Sequence, residues 1–259
     1  MLKRLAQFTG SFYPQNPVEL KNLIQKFFNI ATVSKTKTKP KALLVPHAGY
    51  IYSGLCAAYG YKTIEKYNYK NIILIGPSHV TYFEGLISTP RCIWETPLGE
   101  INVYSINELL PKKECIQESF DIFVSEHSLE VQIPFLQYIY KDFIVFPILV
   151  GNIDFLNIFD ILAKLDLSDS LIIISSDLSH YLPLKENQMQ DKISLDAIKD
   201  LDSERFDKLG DACNKNAVSA LLKLADYYKW QSLILYQSNS SNVTNDTNSV
   251  VGYASVIFY

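Results

Sequence analysis

At 259 residues, with 48% hydrophobic and 20% charged side chains, the chain has the composition of a globular protein. Such a length buries roughly 70–75% of the unfolded surface on folding, and disordered, collagen-like and fibrous classes are excluded. A formal net charge of -3 leaves no basic excess to neutralise nucleic-acid phosphates, and the aromatic residues, 13% of the chain, are spread through apolar segments that assign them to packing.

The stretch from Met1 to Phe8 carries Lys3 and Arg4 with no apolar run behind them, so it is not read as a secretory signal. Asn16-Pro17-Val18-Glu19 opens a first helix, in which Asn16 caps, Pro17 takes the first turn and Glu19 reaches back to the cap. Lys35, Lys37, Lys39 and Lys41 then form a basic spacer, read as a solvated loop before the first core strand. Ala42–Val45 is that strand, and a helical pattern runs from about Gly54 to Tyr67. Three further apolar runs, Ile72–Ile75, Phe143–Leu149 and Leu171–Ile174, lack polar alternation and suit strands covered on both faces. Near the other end, Ser238–Asn248 is a polar stretch between Ile234–Tyr236 and a final strand, Val250–Phe258; it is expected to be a mobile hairpin loop. With helices between the strands, the expected fold class is α/β, a single-domain α/β/α sandwich over residues 1–259 with a mostly parallel central sheet.

The longest unbroken apolar run, Phe143–Val150, falls well short of the ~18 residues that span a bilayer, so no membrane partner is expected. Cys56, Cys92, Cys115 and Cys213 form no CxxC pair and read as reduced thiols, in keeping with a cytoplasmic location.

Three of the four histidines share a context. His47 follows Leu43-Leu44-Val45-Pro46, His79 follows Ile73-Leu74-Ile75-Gly76-Pro77-Ser78, and His180 follows Ile173-Ile174-Ser175-Ser176-Asp177-Leu178-Ser179. Each strand runs out into a short turn that holds an imidazole, and the carboxyl ends of parallel strands are where such sheets bind ligands. Any one of these residues, taken singly, reads as a structural histidine; three at strand ends point to a transition-metal site or to acid–base catalysis. Asp211-Ala212-Cys213 opens another helical pattern with Asp211 as cap, which puts Cys213 in the first turn, where the dipole favours a thiolate; a buried small hydrophobe is the equal alternative. Ser125–Glu130 begins a helix with Leu129, Ile133 and Leu136 on its apolar face. There Glu126, His127 and Glu130 either orient metal-bound histidines from behind or are solvated charges. Asp177 either caps its turn or fixes an imidazole tautomer. The chain has no G-x-S-x-G elbow, no P-loop and no G-x-G-x-x-G.

Several segments together resemble the Memo family, known in bacteria and archaea as AmmeMemoRadiSam system protein B. They are Gly10-Ser11-Phe12-Tyr13-Pro14, Pro46-His47-Ala48-Gly49-Tyr50-Ile51-Tyr52-Ser53-Gly54, Gly76-Pro77-Ser78-His79, Glu126–Leu136, Ser175–Tyr181, Ala212-Cys213 and Val251–Ser255. The resemblance implies a fold similar to that of class III extradiol dioxygenases. It implies an iron or copper ion at His47, His79 and Cys213, with His180 and Asp177 lining the same pocket as candidate catalytic residues. It further implies redox or oxygen chemistry on an unidentified small-molecule substrate, and radical-SAM and Ammecr-domain proteins as partners. Two other readings use the same pocket: a non-catalytic module for phosphotyrosine peptides, and a metal buffer. Where the family commonly has Gly after Ala-Cys this chain has Asn214, a side chain expected to crowd or hydrogen-bond at the pocket rim.

Overall fold

The computed structural model describes residues 2–33 and 38–259. Eleven strands join in one sheet: β1 (Leu2–Arg4), β2 (Ala42–Val45), β3 (Asn71–Pro77), β4 (Leu86–Ser88), β5 (Cys92–Thr96), β6 (Gly99–Val103), β7 (Gln117–Glu118), β8 (Ile144–Val150), β9 (Ser170–Ser175), β10 (Ser232–Asn239) and β11 (Gly252–Phe258). The main order is β1-β5-β6-β8-β3-β9-β2-β11-β10, with β4 pairing β8 and β7. The centre, β8-β3-β9-β2, is wholly parallel, as the uninterrupted apolar runs predict. Antiparallel pairs lie further out, at β11 with β2 and with β10, and at β5 with β6.

Alternate residues of the central strands feed two cores. Leu43, Val45, Ile72, Leu74, Leu171 and Ile173 face one side, and Ala42, Leu44, Ile73, Ile75, Ile172 and Ile174 the other. On the first side they meet α1 (Pro17–Ile30), α2 (Leu55–Ile64) and, after the short α3 (Asp121–Val124) and α4 (His127–Glu130), α5 (Ile133–Ile139). The second side is covered by α6 (Phe155–Leu162), α7 (Leu184–Lys199), α8 (Ser203–Leu209) and α9 (Lys215–Tyr227). The fold is an α/β/α sandwich about a mostly parallel sheet.

Local signals read from the sequence are met with differences of detail. Asn16 Oδ1 accepts from the N–H groups of Val18 and Glu19 at 2.9 and 3.2 Å, and Pro17 opens α1; among the described residues the Glu19 carboxylate makes no return bond. Lys35 and Lys37 lie outside the described residues, whereas Lys39 is docked, donating to Asn68 O at 2.8 Å and lying 4.1 Å from the Tyr69 ring centroid. The pattern from Gly54 begins as a π-helical turn, Tyr50–Gly54, before α2. The helix read over Ser125–Leu136 is two helices, because Pro134 has no N–H to continue α4 and takes the first turn of α5 instead. The polar stretch after Tyr236 is more ordered than a loop: β10 extends to Asn239, and α10 (Ser241–Thr244) follows, ended by Asn245 at φ 59°.

Glu130 is the buried anchor of the N-terminal segment. It forms a 2.5 Å ion pair with Arg4 and accepts from Gln7 N–H, Phe8 N–H and the Tyr13 hydroxyl at 3.0, 2.8 and 2.6 Å. Arg4 also donates to the carbonyls of Phe123, Val124 and Glu126, so every face of the pair is satisfied. Removing one member strands the other in the interior. Arg4→Ala is expected to lower unfolding free energy by about 3–5 kcal/mol in urea titrations, whereas Lys3→Ala, at the exposed neighbouring pair, is expected to leave the midpoint within error.

Candidate metal centre

The sequence places imidazoles after three strands; the sheet order makes those strands neighbours. β3, β9 and β2 lie side by side, with Val45 paired to Ser175 and Ile75 to Ile174. His47, His79 and Asp177 each fall two residues past their strand, after Val45, Pro77 and Ser175. All three line one cavity of about 550 Å³, together with His127, His180, Cys213, Phe12, Ala48, Tyr181, Val251 and Tyr253.

One nitrogen each from His47, His79 and His127 lies within 4.8 Å of the others. The rings of His47 and His79 stand edge-to-face at 5.1 Å, and those of His79 and His127 stack at 4.4 Å. Nitrogens around one ion at ~2.0–2.1 Å are roughly 3–4 Å apart, so small ring rotations close the triad.

The far nitrogens of two rings are already engaged. Ser175 Oγ donates to Ser128 O at 2.6 Å, which leaves it to accept from Gln132 Nε2 at 2.8 Å and from His47 Nδ1–H at 3.0 Å. His47 therefore carries its proton on Nδ1 and turns the Nε2 lone pair to the cavity. Burial first, then the neighbouring imidazoles, holds the His47 pKa well below the ordinary range, so the ring is neutral. For His79 the same role falls to Glu126, whose carboxylate accepts from Nδ1–H at 2.9 Å, from the backbone N–H at 2.6 Å and from Ser128 N–H at 2.8 Å. Burial pushes the Glu126 carboxyl up, but these bonds outweigh it and hold the pKa down at about 2. Glu126 thus does what the sequence allowed it, orienting His79 from behind. His127 does more than that reading gave it: its ring lies in the cavity wall against Phe12 at 4.7 Å, and burial with His79 nearby lowers its pKa to about 4.

Cys213 meets one of the histidines, His47, whereas the nitrogens that lie together are those of His47, His79 and His127. Its Sγ is 3.2 Å from His47 Nε2, accepts from Asp177 N–H at 3.2 Å and lies 3.4 Å from Ser176 Oγ. It is not in a helical first turn, since α9 begins at Lys215 with Asn214 as its cap residue. Burial, followed by the Asp177 carboxylate, raises the thiol pKa, which favours the buried-thiol alternative over the thiolate; a bound cation would oppose that shift. Asn214 does not reach the rim. It is buried, its backbone N–H donating to Ser176 Oγ at 3.0 Å and its amide facing the carbonyls of Ile75 and Ser175 at 3.5 Å.

Asp177 Oδ1 accepts from His47 N–H at 2.7 Å, which braces the His47 turn against the β9 turn. Burial raises its carboxyl to about 6, against the lowering effect of the His47 and Ala48 N–H groups and of His180. Tyr181, beside His180, adopts φ 58°, a conformation costly for a bulky residue, and leaves its ring 74% exposed at the cavity mouth. The strain is held by Leu178 N–H to Gly252 O at 2.8 Å, Gly252 N–H to Ser179 O at 2.9 Å and Val250 N–H to Leu182 O at 2.9 Å. Beneath this turn Asp191 accepts from Ser179 N–H and Oγ at 3.1 and 2.7 Å, and a side chain at 252 would collide with its carboxylate, which is why glycine stands there.

Of Glu126, His127 and Glu130 it is His127 that lines the cavity; Glu126 stands behind His79, and Glu130 serves the N-terminal anchor. Sequence reasoning did not single out Asp191, and it grouped His127 with Glu126 and Glu130 behind the metal-bound histidines. The signal for His127 was its place one residue after Glu126 within a segment that also fits a plain helix start.

The chain is thus an α/β sandwich that presents a cluster of imidazoles and a thiol, donor atoms of the kind a cation takes, at the carboxyl edge of its parallel strands. The family model described as Memo-like protein matches residues 4–257, and the chain belongs to that family. It is 35% identical to a MEMO1 family protein of Thermoplasma volcanium over 96% of this chain and 95% of the relative. A MEMO1 family protein of Thermoplasma acidophilum is 36% identical over 99% and 98%, and one of Aquifex aeolicus 34% over 96% of each.

Burial raises the Asp191 carboxyl to about 6, above its unfolded value near 3.8. The folded state therefore binds the proton more tightly, and stability falls as pH rises from about 4 through 6. Asp191→Asn is expected to flatten that decline, worth about 3 kcal/mol in the wild type, when unfolding is followed by urea titration at stepped pH.

Proposed function

We propose that the chain is a metal-dependent redox protein, with an iron or copper ion held by His47, His79 and Cys213 and with His127 as a further donor within reach. The observation that carries this reading is the convergence of one nitrogen each from His47, His79 and His127 within 4.8 Å, with Cys213 Sγ 3.2 Å from His47 Nε2, while the far nitrogens of His47 and His79 are already engaged by Ser175 and Glu126. Two imidazoles and a thiol are a donor set suited to copper(I) or to a covalent iron site, and also fit zinc. When bound, such an ion supplies a redox centre and polarises an oxygen ligand.

The chain's own residues do the rest. Ser175 and Glu126 keep the His47 and His79 lone pairs aimed inward. His180 and Asp177, on one turn facing the cavity, are the candidates to hold and pass protons. Phe12, Val251 and Tyr253 wall the space and keep water from a small substrate. The phosphotyrosine-peptide reading has less support, since no Lys or Arg is among the described residues lining the cavity to pair with a phosphate. A cytoplasmic location with radical-SAM and Ammecr-domain partners belongs to this proposal as an implication of family membership.

Elemental analysis of purified protein tests it. The wild type is expected to retain iron or copper near one equivalent, and His79→Ala to lose at least about 10-fold in metal affinity. Cys213→Ser and His127→Ala, assayed alongside, separate the two candidate third donors by which of them lowers retention. Equally negligible iron and copper in the wild type and His79→Ala would overturn the proposal. Retention without turnover of a redox dye would move the reading to a metal buffer.

A further inference from the structure

The sheet ends on two unlike edges. β1 is three residues long, with Lys3 paired to Glu95 and Glu100 and Arg4 buried against Glu130, the short and charged pattern that blocks strand addition. At the opposite end β10 runs eight residues as Ser-Leu-Ile-Leu-Tyr-Gln-Ser-Asn, with no charge and no proline, and is paired on one side only, to β11. Gln231 and Tyr259 exchange both backbone bonds at its start, and Ser240 N–H bonds Val251 O past its end. By the alternation of an antiparallel ladder, Ile234 and Gln237 then turn N–H and C=O away from β11. The bulge between Ile234 and Tyr236 bends the strand yet leaves Tyr236–Asn239 in continuous register with β11; at its far end the outward N–H of Asn239 is taken by Asn242 Oδ1 at 3.0 Å, so the open edge runs to Ser238. Beside it lies a groove of about 600 Å³, walled in part by Gln188, Lys192, Leu195 and Asp196 of α7 and by Ile234 and Gln237.

We propose that β10 pairs antiparallel with β10 of a second copy of this chain, continuing the sheet across a two-fold axis. Two features select a second copy over a foreign strand. Antiparallel pairing of one edge with itself is self-complementary, so one sequence supplies both halves. The helix beside the edge matches that symmetry in charge: Lys192 and Asp196 lie one turn apart on the groove wall, 2.6 Å from each other. When α7 is apposed antiparallel to its own copy, each base faces an acid. The strip is ~24 Å long at strand rise and about two layers deep, roughly 1,000 Å² over both copies, which belongs with weak, transient interfaces. A weak dimer, on the order of micromolar or looser, is therefore expected.

Sedimentation equilibrium on the full chain decides it, from about 5 to about 200 µM to bracket that affinity. The wild type is expected to rise with concentration from the chain mass of 29.5 kDa toward twice that value. Gln237→Pro removes an outward N–H that β11 does not use, and Leu233→Lys, at a side chain 39% exposed, puts like charges into the shared strip. Both variants are expected to stay at the chain mass with unchanged far-ultraviolet circular dichroism. Should Gln237→Pro fold poorly, Leu233→Lys carries the test. A wild type that stays monomeric at the highest concentration overturns the proposal, and so does a dimer that persists in a folded Leu233→Lys.

Discussion

Parallel pairing in matched register is the constraint on which the site rests. Val45 lies opposite Ser175 and Ile75 opposite Ile174, so β2, β9 and β3 run out at one level. The residues two positions on, His47, Asp177 and His79, are thereby set down together. A slip of one residue in any of the three would exchange the faces of its side chains and bury the wrong set. The two apolar cores forbid that slip, since each strand is already committed on both faces. Core packing and site geometry are one choice here: the same alternation that fills the interior fixes where the imidazoles arrive.

What turns position into orientation is a small buried polar network. Ser175, Gln132 and Ser128 share hydrogen bonds that end on His47 Nδ1, and Gln132 also donates to Pro46 O at 2.9 Å and accepts from Tyr61 at 2.9 Å. Leaving such groups unpaired in the interior costs more than making the bonds gains, so each member holds the next in place. Gly76 belongs to this arrangement, because a side chain there would press within 2.6 Å of Ser128 Oγ. The strand that delivers His79 must approach α4 this closely for Glu126 to reach both the ring and the backbone of His79.

Much of this was legible in the sequence, for identifiable reasons. Unbroken runs such as Leu171–Ile174 announce two-sided burial, and a histidine just beyond such a run is a local fact that sequence displays. Asn16 ahead of Pro17 is a cap signal of the same kind. The order of the strands is not local, and it alone makes three turns one cavity. Cys213 illustrates the limit: a helix was expected to hold it, either as a thiolate or as a buried small side chain, yet its environment is set by Asp177, Ser176 and His47, which lie 36, 37 and 166 positions away. His127 was hidden for a related reason. Its neighbours fit a helix start, and only the arrival of the N-terminal segment shows that its ring faces the histidines.

That arrival depends on a division of labour between two glutamates one turn apart. Glu126 and Glu130 bracket α4, and both are buried carboxylates with several donors. Glu126 spends its bonds on His79 and Ser128, behind the His79 ring. Glu130 faces the other way and binds Arg4, Gln7, Phe8 and Tyr13, residues more than a hundred positions earlier in the chain. The segment so held brings Phe8 and Phe12 against His127, at 5.6 and 4.7 Å. Phe12 is part of the cavity wall, so the apolar side of the site is assembled by an ion pair that never touches it. The two acids are interchangeable in type and not in place: a four-residue helix with one carboxylate at each end ties the imidazoles to the N-terminus of the chain.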